Sequence, residues 1–556
     1  MNDKNKHYQD LFNKKKYSEL IFLLESSKSY KNLSAGELNL LGITKLKIKK
    51  DKKNILEVLE YFESGFLKEK TTEASINCLQ NYLNLTADLF SISEEEIDMQ
   101  KAILYYERAI KNIIPNYNLL NAAKRIYWRL SEIEKVILTL SQMATRKIDM
   151  SANCSYFFSK NYVYDWKQKD FLEYPQHIQS ILPDLKLNKL EIKKNEKIKL
   201  GFLSSDLKSK HSVTYFLKSV LLNYDKSKFE IYLYLNHDES KSDETTEILK
   251  KLVEKSYFIN NLDDIRVIQL IRNQSIDIIF DLMGATSDSR PVLFKNKIAP
   301  IQISWIGYCN TMGLTEGNYL IADANLIKKN EEILYSEKII YMPNIWNCHT
   351  GFDFEKKYSQ RPSLKNNFIT FGSFNNFSKI NQNVIEVWSK ILKDVKNSKL
   401  ILKPSGKSDF TRLKNLFNKN GVLDSVVFYK KTKSTENHLN LYDQIDIALD
   451  TFPYNGVTTT FEALWMGVPV LTMKGFNFNS RCGESINKNL KLDHLISENY
   501  SDYINKAIEL STNTEKLDSI RNYINSNVRH SPLFNGSDFS IKFFDILEEI
   551  YMEHNK

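Results

Sequence analysis

The 556-residue sequence predicts two α/β domains in series, each built on a doubly wound parallel sheet, after an all-helical domain. Three observations carry this. Up to about Leu190, apolar residues recur at three- and four-residue spacing, as in Leu20, Leu23 and Leu24 and again in Ile55, Val58, Leu59 and Phe62. Glycine and proline are scarce there, the pattern of amphipathic helices joined by short turns. From Lys197 the texture becomes short apolar runs bounded by polar turns: IKLGFLSS, FEIYLYLN, IDIIFDLMG, IQISWIGY, YLIADANLI and KIIYM. These read as buried strands of a parallel sheet alternating with helices. After a polar, aromatic stretch the pattern restarts with FITFGSFNNFSK, KLILKPS, SVVFYK, DIALDTFPYNG, PVLTM and HLI.

The expected domains follow in chain order. Residues 1–190 are helical. AILYYERAI places Ala102, Tyr106 and Ala109 at i, i+4 and i+7 before Pro115. Small–aromatic–small spacing lets a second helix approach closely and resembles the second helix of a tetratricopeptide repeat, as LNLLG (Leu38–Gly42) resembles a first one; the irregular period marks a degenerate repeat. Residues 197–345 form the first α/β domain, 346–366 a linker and 367–530 the second α/β domain. An amphipathic helix over 537–553 is expected to pack back on the first α/β domain. Two such domains create a cleft at the carboxyl ends of their strands.

Composition narrows the class. Hydrophobic residues at 42% and charged residues at 26% exclude a mostly disordered chain. Lys+Arg 77 against Asp+Glu 68 gives +9, spread along the whole length, too diffuse for a nucleic-acid partner. No apolar run reaches the ~18 residues of a membrane span, and the start MNDKNKHYQD is polar rather than a signal peptide. Five widely spaced cysteines (Cys78, Cys154, Cys309, Cys348, Cys482) form neither a zinc spacing nor a disulfide framework. The expectation is a cytoplasmic protein with reduced thiols.

The most informative segment is DTFPYNGVTTTFEALWMGVPVLTM, Asp450–Met473. A strand runs into a turn with Asn455 and Gly456, and Thr458, Thr459 and Thr460 open a helix. A helix N-terminus offers unpaired N–H groups and partial positive charge, so it can hold a diphosphate. Glu462, one turn inside, is placed to hold a ribose diol. No Asp-x-Asp motif is present for a divalent ion, so Lys379, after the strand FITFGSF, is the candidate cation for the departing diphosphate. His211 follows the first strand in SSDLKSKHS and points into the cleft with an imidazole able to move protons near neutral pH. Gly284 in DLMGAT and the Gly307–Tyr308 turn end first-domain strands, where backbone can approach acceptor or sugar closely. His237 in YLNHDES is read as structural, and Arg481 in FNSRCGES as either structural or phosphate-binding.

From about Lys197 to Asn505 the sequence resembles the catalytic region of the O-linked N-acetylglucosamine transferase family, which includes bacterial relatives and plant SPINDLY proteins. The resemblance rests on KLGFLSSDLKSKHSVTYFL, APIQISWIGYCNTMGL, YLIADA, YSEKIIYMP, FGSFNNFSKINQNVIEVWSKIL and NGVTTTFEALWMGVPVLTM, in family order. NYVYDW, near Trp166, resembles the segment joining repeats to catalytic region. The resemblance implies a GT-B glycosyltransferase with two Rossmann-like domains, inverting and metal-independent, without a cofactor. Its donor would be a nucleotide sugar, first UDP-N-acetylglucosamine, and its acceptor Ser or Thr hydroxyls of a protein, such as a bacterial surface or flagellar protein, docked on the helical domain. Self-association is compatible with this organisation. The resemblance implies that Lys379 is essential, that Asn376 contacts the donor, that His438 lies against the base and that His211 sits near sugar and acceptor. Three departures stand out: Val457 where the family has histidine, Ala285 where it has histidine or an aromatic residue, and Cys309-Asn310 where it has Pro-Gly. Rival readings are a GDP-fucose-dependent O-fucosyltransferase, a UDP-glucose-dependent N-glucosyltransferase, and a helical-repeat scaffold without catalysis.

Overall fold

The computed structural model describes residues 3–27, 30–93, 97–146, 150–163, 168–209, 211–286, 288–314, 316, 318–352, 360–404 and 408–556. Contacts divide the chain into residues 1–152 with 407–412, and residues 153–406 with 413–556. Among the described residues no helix is long and apolar enough to cross a membrane.

The first unit is helical from Asp3–Asn13 to Ile133–Arg146. Helix Ala35–Ile48 opens on a reciprocal pair in which the Ser34 hydroxyl accepts the Glu37 N–H and the Glu37 carboxylate accepts the Ser34 N–H. Asp51, Thr72, Asp98 and Asn116 cap the helices that follow them. Ala102, Tyr106 and Ala109 are all buried on helix Met99–Ala109, and Tyr106 meets Tyr127 edge-on at 6.2 Å. The small residues let the neighbouring helix approach while the ring fills the groove beside them.

The second unit holds two parallel sheets. In the first, β1 (Ile198–Ser204), β2 (Phe229–Leu235), β3 (Lys255–Phe258), β4 (Ile278–Asp281), β5 (Ile301–Ser304), β6 (Asn318–Asp323) and β7 (Lys338–Met342) lie in the order 3-2-1-4-5-6-7. In the second, β8 (Thr370–Ser373), β9 (Lys399–Leu402), β10 (Val426–Phe428), β11 (Ile447–Leu449), β12 (Val470–Met473) and β13 (Ile496–Ser497) lie in the order 10-9-8-11-12-13. Helices cover both faces, so central strands such as β4 and β8 are buried along their whole length, which is why they read as unbroken apolar runs. Strand order reverses between β1 and β4 and between β8 and β11, the places where a crevice opens beyond the carboxyl ends.

The sequence places helices Met150–Lys160 and Gln168–Ile181 within a helical domain reaching residue 190, yet contacts end the first unit at Ala152. The reason is local: Asn161 Nδ2 donates to Tyr308 Oη at 3.0 Å and Gln179 Nε2 to Glu316 Oε2 at 3.2 Å, which ties this segment to the loops after β5. Trp166 lies outside the described residues. Helix Gly536–His554 covers the first sheet: Ser540 Oγ donates to Ser219 O at 3.0 Å and the Phe543 ring lies 4.8 Å from Trp305.

The stretch expected as a linker, 346–366, is described at 346–352 and 360–366, and its first part is packed. Trp346 O accepts the Trp305 indole N–H at 2.8 Å, and Trp346, Cys348 and His349 are buried. His349 is surrounded by Tyr215, Phe216, Phe352, Phe461 and Phe534 at 4.6–6.1 Å between ring centroids. Burial, helped by Lys218, pushes its pKa down to about 3. An unfolded imidazole binds its proton near pH 6.5 and the buried one only near 3, so stability is lost as pH falls through that window. His349→Phe should remove about 2 kcal/mol of the stability loss between pH 6.5 and 5. Urea midpoints of the two proteins across that range check it; parallel curves contradict it.

Candidate active site

The loops after β8 and β11 meet at the switch point of the second sheet. Asp450, the residue after β11, is buried, and its carboxylate accepts the Gly456 N–H at 2.7 Å, the Thr451 N–H at 2.8 Å and the Thr472 hydroxyl at 2.7 Å. Asn375 Nδ2 approaches the same carboxylate at 3.4 Å, while Asn375 Oδ1 accepts the Thr459 hydroxyl at 2.9 Å. Burial raises the Asp450 pKa to about 6, against the opposing pull of these donors and of Lys379. The loop so folded is braced by Asn455, whose Nδ2 donates to Thr451 O at 2.9 Å and whose Oδ1 accepts the Gly483 N–H at 3.2 Å.

Lys379 ends the short turn Phe377–Lys379, which Asn376 caps by accepting the Ser378 N–H at 3.0 Å. Its Nζ donates to Asn455 O at 2.7 Å and stands 3.9 Å above the centre of the Tyr454 ring. Burial holds the ammonium below its ordinary pKa, and Asp450 works against that shift. Asn381, which caps helix Gln382–Asp394, also donates to Phe452 O at 2.8 Å and so joins the two loops.

Helix Thr458–Trp465 starts on this loop. Val457 precedes it without a side-chain cap, and the Thr460 N–H bonds back to Val457 O at 2.9 Å. The first N–H groups of a helix have no partner within it, and those of Thr458 and Thr459 open a helix three residues after Asn455, whose carbonyl holds Lys379. One turn on, Glu462 Oε2 is 2.9 Å from His438 Nε2 and accepts the Tyr442 hydroxyl at 3.2 Å. The ring of Phe374 lies 4.5 Å from Tyr442 and 5.6 Å from His438. Glu462 and His438, singled out separately in the sequence, are therefore one hydrogen-bonded pair.

The first domain faces this helix. Phe216 meets Phe461 edge-on at 5.2 Å, which brings the start of helix Ser212–Leu221 across to helix Thr458–Trp465. His211 immediately precedes that first helix. Its Nε2 is 3.5 Å from Asp206 Oδ1, and its buried Nδ1 has no hydrogen-bond partner among the described residues. Burial lowers its pKa, Asp206 opposing and Lys208 reinforcing the shift, so the imidazole is neutral at pH 7.

Gly284 and Gly307 are close-approach positions, and what approaches is the chain itself. A Cβ on Gly284, whose φ is +58°, would lie 2.1 Å from Tyr308 Cβ, and one on Gly307 would lie 1.9 Å from Leu282 O. Tyr308 is buried, with its hydroxyl on Asn161. Cys309 and Cys482, one from each α/β domain, are both buried, and the Cys482 thiol donates to Phe478 O at 3.5 Å. Arg481 is structural: Nη2 donates to Glu331 Oε1 at 2.8 Å and Nε to Gly475 O at 2.8 Å, so it links the α/β domains. His237 is buried against Phe258. Sequence reasoning missed Asp450, Asn375, Asn381 and Tyr454 as parts of the site. An aspartate at a strand end followed by Asn-Gly was the available signal for the first.

Two parallel-sheet domains, with a lysine and a helix N-terminus gathered at the switch point of the second, define the GT-B glycosyltransferase fold. The structure is similar to that of a mutant O-GlcNAc transferase of Thermobaculum terrenum, with a TM-score of 0.79 and 22% identity over 94% of this chain and 98% of that one. Residues 180–356 and 354–543 match the profile of glycosyl transferase family 41, and the chain belongs to that family. It is 32% identical over 359 residues to the probable UDP-N-acetylglucosamine–peptide N-acetylglucosaminyltransferase SPINDLY of Solanum lycopersicum, covering 63% of this chain and 38% of that protein. The SPINDLY protein of Arabidopsis thaliana is 31% identical over 357 residues, covering 62% and 38%. The chain thus spans little more than a third of the length of these relatives.

In Asp450→Asn one oxygen can still accept the Gly456 and Thr451 N–H groups, but an amide N–H replaces the oxygen that accepts the Thr472 hydroxyl, and the charge beside Lys379 is lost. The substitution should cost about 2–4 kcal/mol, read as a lower urea midpoint; an unchanged midpoint would remove Asp450 from its organising place.

Proposed function

We propose that the protein is an inverting, metal-independent O-glycosyltransferase that moves a sugar, first N-acetylglucosamine from UDP-N-acetylglucosamine, to Ser or Thr hydroxyls of a protein acceptor. The observation that carries this reading is the position of Lys379 beside the N-terminus of helix Thr458–Trp465. Breaking the bond between C1 and the diphosphate builds negative charge on the leaving oxygens, and donors fixed in advance stabilise that charge without reorganising. An ammonium has three protons. Lys379 can keep its bond to Asn455 O and still donate to the β-phosphate, while the Thr458 and Thr459 N–H groups take the remaining oxygens.

Farther along the helix, Glu462 offers acceptors to the ribose diol and His438 a flat face to the base. In the opposite domain the neutral imidazole of His211 borders the reacting end of the sugar, where it orients the acceptor hydroxyl. The acceptor proton passes to the departing phosphate or to that imidazole. Membership of family 41 and likeness to proteins named as peptide N-acetylglucosaminyltransferases support the protein acceptor and this donor.

The test is turnover of serine- and threonine-containing peptides with UDP-N-acetylglucosamine, UDP-glucose and GDP-fucose, read by intact mass. One donor should add one sugar per site, and Lys379→Ala should lower kcat by at least about 100-fold while the circular dichroism spectrum is unchanged. Near-normal turnover by that variant would sink the role of Lys379, and transfer from GDP-fucose alone would replace the donor.

A further inference from the structure

One buried cation near the site has no part in the chemistry above. Lys403 follows β9 and is 3% exposed. Its N–H donates to Ser373 O at 3.3 Å, which fixes it beside the end of β8. Among the described residues its ammonium makes one hydrogen bond, a long one of 3.4 Å to Pro404 O. The ammonium stands 5.9 Å from the centre of the Phe374 ring, the same ring that packs on His438 and Tyr442. Both of those residues are bonded to Glu462. Burial lowers the Lys403 pKa, Glu462 attracts its charge and Lys431 repels it.

A buried ammonium with one weak acceptor is costly unless a partner arrives. We infer that Lys403 is a donor-binding residue whose ammonium hydrogen-bonds a carbonyl oxygen of the nucleobase. The inference rests on the proposed nucleotide-sugar site and adds to it what reads the base. The base is assigned over the phosphates by position. The diphosphate donors are the loop and the first residues of helix Thr458–Trp465, whereas Lys403 belongs to the Phe374–His438–Glu462 cluster one turn farther on, about 6 Å along the helix axis. Uracil and guanine both offer a ring carbonyl, and adenine has none. A base stacked on the imidazole of His438 would lie next to the Phe374 ring that the Lys403 ammonium adjoins.

The experiment is calorimetric binding of UDP, GDP, ADP and ribose 5-diphosphate to the full chain and to Lys403→Met. Losing a hydrogen bond from a charged donor should weaken the preferred keto nucleotide about tenfold or more, while ribose 5-diphosphate, which has no base, stays within twofold. UDP against GDP then tells which base is read. KM for the nucleotide sugar should rise in the variant with kcat within twofold, the opposite of what removal of Lys379 should do. Lys403→Arg and Lys403→Gln keep a donor and should recover part of the affinity; they also carry the test should the methionine variant not fold. Unchanged affinity for both keto nucleotides, or an equal loss for ribose 5-diphosphate, would overturn the assignment. A wild-type protein that binds ribose 5-diphosphate but gains nothing from a base would overturn it while leaving the diphosphate site standing. One that binds none of the four would overturn the nucleotide-sugar reading itself.

Discussion

A single buried carboxylate organises the second α/β domain around its switch point. Asp450 gathers two backbone N–H groups, a hydroxyl and an amide from four different places in the sequence. Curling the loop around that carboxylate turns the Asn455 carbonyl toward Lys379 and sets the first turn of helix Thr458–Trp465 next to it. The charge has a second effect. It partly offsets the desolvation that holds the buried Lys379 ammonium below its ordinary pKa. The same carboxylate thus bears on both the position of the lysine and the electrostatics around it.

The two α/β domains are joined by bonds and rings rather than by chain connectivity alone. Ser485 Oγ donates to Asp323 Oδ2 at 2.6 Å, Arg481 pairs with Glu331, and Phe216 packs on Phe461. Asp323 is itself buried at the end of β6, with its pKa raised to about 6. The aromatic shell around His349 extends the same contact behind helix Thr458–Trp465, since Phe461 and Phe534 both touch it. Aromatic packing of this kind holds a helix N-terminus in place from its apolar side and leaves its polar end facing the cleft.

Most of the fold was legible because parallel strands hidden on both faces leave apolar runs that need no context, as in IDIIFD and IKLGFL. The lysine after β8 and the threonines after β11 were legible because strand-to-helix turns at a switch point are where ligands bind. What escaped depends on tertiary placement. Nothing in KLILKPS marks Lys403 as buried, and nothing in FNNFSK tells that Asn375 reaches Asp450 across 75 residues of sequence. Gly284 and Gly307 read in the sequence as places where backbone approaches acceptor or sugar, whereas what lies against them is Tyr308 and the Leu282 carbonyl, a contact that depends on tertiary placement. The stretch after β7 looked like a tether because its polar and aromatic residues lack a period; burial of Trp346 and His349 is decided by the surfaces they cross.

The central claim is that a diphosphate is held between Lys379 and the first N–H groups of helix Thr458–Trp465. Calorimetric comparison of UDP with UMP on the wild-type chain tests it most directly, because the two ligands differ only in the phosphate those groups are held to bind. UDP should bind at least about tenfold more tightly, a difference of ~1.4 kcal/mol, and Lys379→Ala should narrow the gap. Equal affinity of the wild type for the two ligands would contradict it.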